Sequence, residues 1–328
     1  KMGEVLTNSQ IGGRRNIVIN GAMQVAQRGT SSTGLGASDG YFTVDRFQLN
    51  FSSTSARFTM TQDSPTDLSG FTKALKLDCT TADTSLGSGE YLILHHKLEG
   101  FDVQQLKKGT SDAEKFTISF YVKGNANATY TLEIEDVDNN RYNSQEFSVT
   151  TSWNRVVLTF DGDTTGILDN DNANSIRINF WLFVGSNFTS GTHTDNVWHT
   201  TGTQRVGDNQ TSLADSTDRT FFITGLQMEV GSQATPTATL TSRVIRFIDA
   251  SQNYGGHWIT FRTEMRAAPT GNVYNPANGD INSIRDDNGN HTAAVGHAAT
   301  HGMHCYVNNS SIGQSEAVQV HYTADTEL

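Results

Sequence analysis

Residues 16–51 read NIVINGAMQVAQRGTSSTGLGASDGYFTVDRFQLNF, and their pattern decides the fold class. The stretch opens on the apolar run Ile17-Val18-Ile19 and halts at Asn20-Gly21. A loop rich in Gly, Ser and Thr is expected from Gly29 to Gly40. Phe42, Val44, Phe47, Leu49 and Phe51 are then set against Thr43, Asp45, Arg46, Gln48 and Asn50. Short apolar runs bounded by turn residues read as strands with one buried face. We therefore expect the first edge of a β-sandwich here, with the last strand far away at Thr220–Val230 (TFFITGLQMEV).

The same signature repeats between these two ends. Strands are expected at residues 56–61, 74–79, 90–97, 115–123, 129–137, 146–150, 153–160 and 175–184. In the run 90–97 (EYLILHHK), His95 and His96 must point to opposite faces, because side chains alternate along a strand. Residues 98–106 fit a helical turn or loop, and 185–216 form a long polar loop. Close spacing with Gly, Asn and Asp punctuation, and no long helical period, indicates an antiparallel sandwich. Residues 1–15 read as a polar linker from a preceding segment. The sandwich domain is expected over 16–237 and a small β domain over 238–328. In that second part, 240–251 fit a short helix or strand, 258–262 form a further apolar run, and 304–307 with 317–322 read as a closing hairpin.

Composition bounds the function. The 328 residues are 35% hydrophobic and 17% charged, with net charge -11. An acidic chain without a Lys/Arg stripe lacks what phosphate backbones require, so nucleic acid is not an expected partner. No run approaches the roughly 20 apolar residues of a membrane helix, so membrane insertion is not expected. Cys79 and Cys305 are far apart and read as buried thiols rather than a disulfide framework.

Few residues carry chemistry. No nucleophile elbow, His-Glu-x-x-His or phosphate loop occurs. Glu133 and Glu135 are i, i+2 on one strand and share a face, the arrangement closest to a glycosidase carboxylate pair. The acidic turns 135–140, 161–163 and 169–171 lack the spacing of a calcium loop and read as solvated turns. Aromatic rings in loops can stack against sugar C–H faces. Trp198, in the long polar loop with His199 beside it, and Tyr142, after the acidic turn, are the candidate ligand-binding residues; Trp153 and Trp181 lie on apolar strands and are expected in the core. His297, His301 and His304 are candidate metal ligands, since one histidine per chain can converge on an ion at the axis of a trimer.

Several segments together carry a resemblance. Residues 16–29 (NIVINGAMQVAQRG), 41–47 (YFTVDRF), 221–236 (FFITGLQMEVGSQATP), 263–270 (TEMRAAPT) and 322–328 (YTADTEL) resemble tail-fibre or virion-surface proteins of tailed bacteriophages. The resemblance implies an all-β chain: a jelly-roll β-sandwich like a carbohydrate-binding module, then a small C-terminal β domain. It implies a noncatalytic virion-surface protein, a tail fibre attaching to host cell-surface polysaccharide. Other virion proteins would be its neighbours and a homotrimer its expected state. Capsid decoration, a purely structural fibre segment and a polysaccharide depolymerase are the alternatives. Where that family carries an acidic, Tyr-rich segment after the closing strand, this chain has residues 242–249, SRVIRFID. The opening NIVINGAMQ also resembles the first strand of calcium-containing carbohydrate-binding jelly rolls, which makes structural Ca²⁺ a candidate cofactor. Gln24 falls where those relatives favour an acid.

Overall fold

Alternation in the sequence becomes alternation in burial. In Phe47–Ser52, Phe47, Leu49 and Phe51 are buried while Gln48, Asn50 and Ser52 are half-buried. A computed structural model describes residues 16–234 together with six strands beyond them. The chain divides into two compact units, Lys1–Thr235 and Pro236–Glu327.

The first unit has eleven strands among the described residues: β1 Ser31–Leu35, β2 Phe47–Ser52, β3 Arg57–Asp63, β4 Ala74–Thr81, β5 Tyr91–Glu99, β6 Phe116–Gly124, β7 Ala128–Asp136, β8 Arg141–Val149, β9 Asn154–Phe160, β10 Asn174–Val184 and β11 Thr220–Val230. They form a six-stranded sheet, β1-β3-β4-β11-β6-β9, and a five-stranded sheet, β2-β5-β10-β7-β8. Every pairing is antiparallel. The chain crosses repeatedly between sheets, and the unit is an all-β jelly-roll sandwich.

The core lies between the sheets, and aromatic rings join them. Phe58 of β3 meets Phe183 of β10 at 6.0 Å, Phe120 of β6 meets Phe180 of β10 at 5.1 Å, and Tyr130 of β7 meets Phe221 of β11 at 5.6 Å. Such pairs add to the area they bury. A short helix α1, Gly100–Val103, follows β5, where a helical turn is expected.

The opening stretch departs from expectation. Ile17-Val18-Ile19 is not a regular strand, and Ser31–Leu35, expected in a loop, is the edge strand β1. Asn20 and Met23 have φ of 60° and 59°, which breaks strand geometry. Residues 16–21 are instead tied to the last strand where β11 bulges at Gly225, φ +64°. Ile17 N donates to Met228 O at 2.9 Å and Leu226 N to Gly21 O at 3.0 Å. The Asn16 side chain accepts from Met228 N at 2.9 Å. Pairing of β4 with β11 runs only through Leu75 and Ile223, so this segment continues the sheet beyond that point.

The second unit has two three-stranded sheets among its described residues. β12 Thr239–Arg246, β17 Ala317–Ala324 and β14 Thr270–Tyr274 form one in that order. β13 Gly255–Thr260, β16 Gly302–Val307 and β15 Ala293–Ala299 form the other. The expected closing hairpin is therefore not made: β16 and β17 belong to different sheets, with β17 between β12 and β14.

Candidate functional site

Antiparallel register sets residues from all five strands of the second sheet into rows on its outer face. Gln48, His95, Asn179, Glu133 and Ser144 are consecutive partners from β2 to β8. Lys97, Arg177, Glu135 and Tyr142 form the next row, and Asn50, Ile93, Trp181, Thr131 and Glu146 lie on the other side. Sheet faces turned to water are normally polar, but this one is half covered. The 185–216 loop folds back over it, and Glu133, Asn179 and Trp181 are each no more than 1% exposed.

Arg205 is the keystone of that cover. It grips Glu133 through both oxygens, Nε to Oε1 at 2.7 Å and a terminal nitrogen to Oε2 at 2.7 Å. Its guanidinium also lies 4.1 Å from the Tyr142 ring centroid and 5.1 Å from that of Trp181. Burial works against the Arg205 charge, yet Glu133 and Glu135 outweigh it and hold the pKa above the ordinary arginine value. Trp181 Nε1 and Asn179 Nδ2 add donors to Glu133 Oε2 at 3.1 and 2.9 Å. Phe188 packs on Trp181 at 5.1 Å and on Tyr91 at 5.5 Å. Tyr142, Arg205, Trp181 and Tyr91 thus make one stripe of flat groups across the face, with both tyrosines half-buried. His95 beside it is neutral: burial, with Lys97 and Arg177 nearby, pushes it down to about 3, and Nε2 bonds Gln48 Oε1 at 2.8 Å.

The sequence-predicted residues divide between two places. Tyr142 and His199 come together, exchanging backbone hydrogen bonds of 2.8 and 2.9 Å with rings 5.9 Å apart. Burial lowers the His199 pKa. Trp198 packs against the core and donates to Asp161 O at 2.7 Å. Its ring lies 5.0 Å from Lys108 Nζ, inside a buried charge cluster. There Lys108 is bonded to Asp136 and lies 3.1 Å from Asp163, which Arg141 also holds at 2.6 Å. His297 and His304 lie on β15 and β16, and His301 lies outside the described residues. No cluster of metal-ligating groups occurs among the described residues.

Two backbone carbonyls of the opening stretch are engaged by a side chain. Gln62 Nε2 donates to Met23 O at 2.6 Å and to Gln24 O at 3.0 Å. Gln24 itself bonds Ala22 O and Thr72 Oγ1.

Two tryptophans depart from expectation. Trp181 is buried, but on the outer face under the loop rather than between the sheets. Trp153 is half-buried, with its indole N–H on Asp67 and its ring 6.0 Å from Phe222. Arg205, Arg177, Asn179, Lys97 and Tyr91 escape the sequence reading. The polar positions of β10, alternating through SIRINFW, were the available signal.

No protein-family model matches this sequence, and no curated protein matches it. Solved structures to which this chain is similar include carbohydrate-binding modules. TmCBM61 in complex with β-1,4-galactotriose is 10% identical over 66% of this chain and 99% of that one, TM-score 0.35. The family 11 module of Clostridium thermocellum, in complex with a mixed-linked tetrasaccharide, is 12% identical over 62% and 96%, TM-score 0.31. A xylan-binding domain of family 22 is 11% identical over 64% and 99%, TM-score 0.32.

Proposed function

We propose that the outer face of β2-β5-β10-β7-β8 binds a polysaccharide without cleaving it. The observation that carries this is the two half-buried rings Tyr142 and Tyr91, backed by Arg205 and the buried Trp181 and laid beside polar rows. A pyranose sets its C–H groups against flat rings and its hydroxyls against such polar neighbours. The carboxylates on this face support binding over hydrolysis. Glu133 has both oxygens taken by Arg205, Asn179 and Trp181, and Glu135 receives Asn179 at 2.9 Å. A general acid or base needs an oxygen free to reach the reacting group.

The setting we propose is the surface of a tailed-phage virion, with a host-surface polysaccharide as ligand and the fibre as a trimer. The segments 16–29, 41–47 and 221–236 support that setting through their resemblance. Several weak sites on one particle would gain through multivalency.

Affinity electrophoresis of the full chain against galactan, xylan and mixed-linkage glucan, neutral and acidic forms alike, tests the binding reading. Tyr142→Ala is expected to weaken retardation about tenfold, the scale of one lost ring contact. No retardation by any polysaccharide would sink the reading, and release of reducing ends would replace it with depolymerisation.

A further inference from the structure

Lys97 and Arg177 are direct cross-strand partners on the outer face of the five-stranded sheet. Like charges directly opposite each other in a ladder are destabilising. Arg177 is partly relieved by Glu135 at 3.4 Å. Lys97 has no hydrogen bond or ion-pair contact among the described residues, and only the longer-range charges of Asp39 and Glu135 offset the burial and Arg177 that act against it. Both of those carboxylates are also engaged elsewhere. Asp39 accepts from Asn50 Nδ2 at 2.8 Å and from Phe51 N at 2.7 Å. Glu135 accepts from Asn179 and faces Arg205 at 3.5 Å. Lys97 is also half-buried, and burial followed by Arg177 lowers its pKa. A half-buried ammonium set against a guanidinium, with no carboxylate in ion-pair contact, is unusual in a chain of net charge -11.

A second observation lies two residues along β10. Asn179 is 1% exposed, and its Oδ1 has no hydrogen-bond partner among the described residues. A buried acceptor without a donor costs about 1–3 kcal/mol. Asn179 neighbours Arg177 on the same face and gives its amide protons to Glu133 and Glu135. Asn179 is closed to solvent, so an anionic ligand would meet this part of the face at Arg177 and its cross-strand partner Lys97.

We propose that this face selects an acidic polysaccharide, with Lys97 and Arg177 holding a carboxylate or sulfate group. The inference rests on the glycan-binding reading and names its ligand class. The charge of the whole chain sharpens it. A protein at -11 repels a polyanion at long range, so preference for one must come from a local cation pair.

The test is calorimetry of the full chain at about 150 mM salt, where long-range attraction is screened. The probes are a de-esterified polyuronate, a sulfated galactan and a neutral galactan. At least one acidic chain is expected to bind about tenfold or more tighter than the neutral one, the scale of a hydrogen bond to a charged group. Whether polyuronate or sulfated galactan leads identifies the anion. Lys97→Gln should erase the preference and Lys97→Arg should keep it. Removing one of two opposed cations should leave the melting temperature of Lys97→Gln no lower than wild type, so lost binding is not lost folding. Equal affinity for neutral galactan, or a preference that survives Lys97→Gln, overturns the inference and leaves glycan binding standing. Binding to none of the three overturns the acidic ligand, and silence across the wider neutral panel as well overturns the binding reading beneath it.

Discussion

His96 is fully buried on the core side of β5, its ring 5.2 Å from that of Phe47. Its Nε2 lies 3.0 Å from Ile19 O, an acceptor only, so the ring donates there. Burial pushes its pKa down to about 4 from 6.5. The unfolded chain therefore takes up this proton near pH 6.5 and the folded chain only near pH 4. Between the two the unfolded state holds more protons, so stability is complete above about pH 6.5 and falls as pH drops towards 4. The contribution at stake is about 3 kcal/mol, and His95 adds in the same direction. Asp67, Asp83 and Asp163 have pKa values below 3.8 and act under this window. Urea midpoints should fall between pH 7 and pH 4.5 in wild type and less steeply in His96→Gln; a flat wild-type profile would contradict the assignment. The sequence placed His95 and His96 on opposite faces, as they are. It could not show that both are buried, because the outer face looks exposed until a distant loop is folded over it.

Among elements, strands rich in apolar residues were legible. The bounds of β11 were legible, since residues 220–230 are rich in apolar side chains and end at Gly231. β1 was missed because four of its five residues are not buried, so it lacks the alternation that marks a strand. The segment before it was misread for the opposite reason: it is apolar, but it follows a bulge. Gly21 makes that path possible, because a Cβ there would sit 2.0 Å from Leu226 O, a backbone atom that cannot swing away. Gly21→Ala is expected to cost about 2 kcal/mol in chemical denaturation. Gly202→Ala, where nothing lies within 4 Å, should stay within about 0.5 kcal/mol of wild type. Equal effects at the two positions would mean that the clip on β11 is not a tight constraint. The expected β16–β17 hairpin is not made because β16 pairs with the strand before it, β15, and with β13, while β17 lies between the distant β12 and β14.

At the scale of the molecule, the sandwich follows from strand spacing, but the candidate site follows from tertiary contact. Tyr142 is local to its turn and could be named in advance. Arg205 could not, because nothing in residues 185–216 marks which side chain will reach Glu133. The opening stretch carries a further consequence at this scale. Gln62 lends an amide to the carbonyls of Met23 and Gln24 and so holds the opening stretch with a donor of the chain's own. A covalently attached donor cannot be stripped by a chelator or diluted away. Melting curves in excess EDTA and in millimolar calcium should therefore superimpose, and a rise of several degrees with calcium would show that the amide yields its place. If they coincide, the fold owes nothing to the hardness of the water around it.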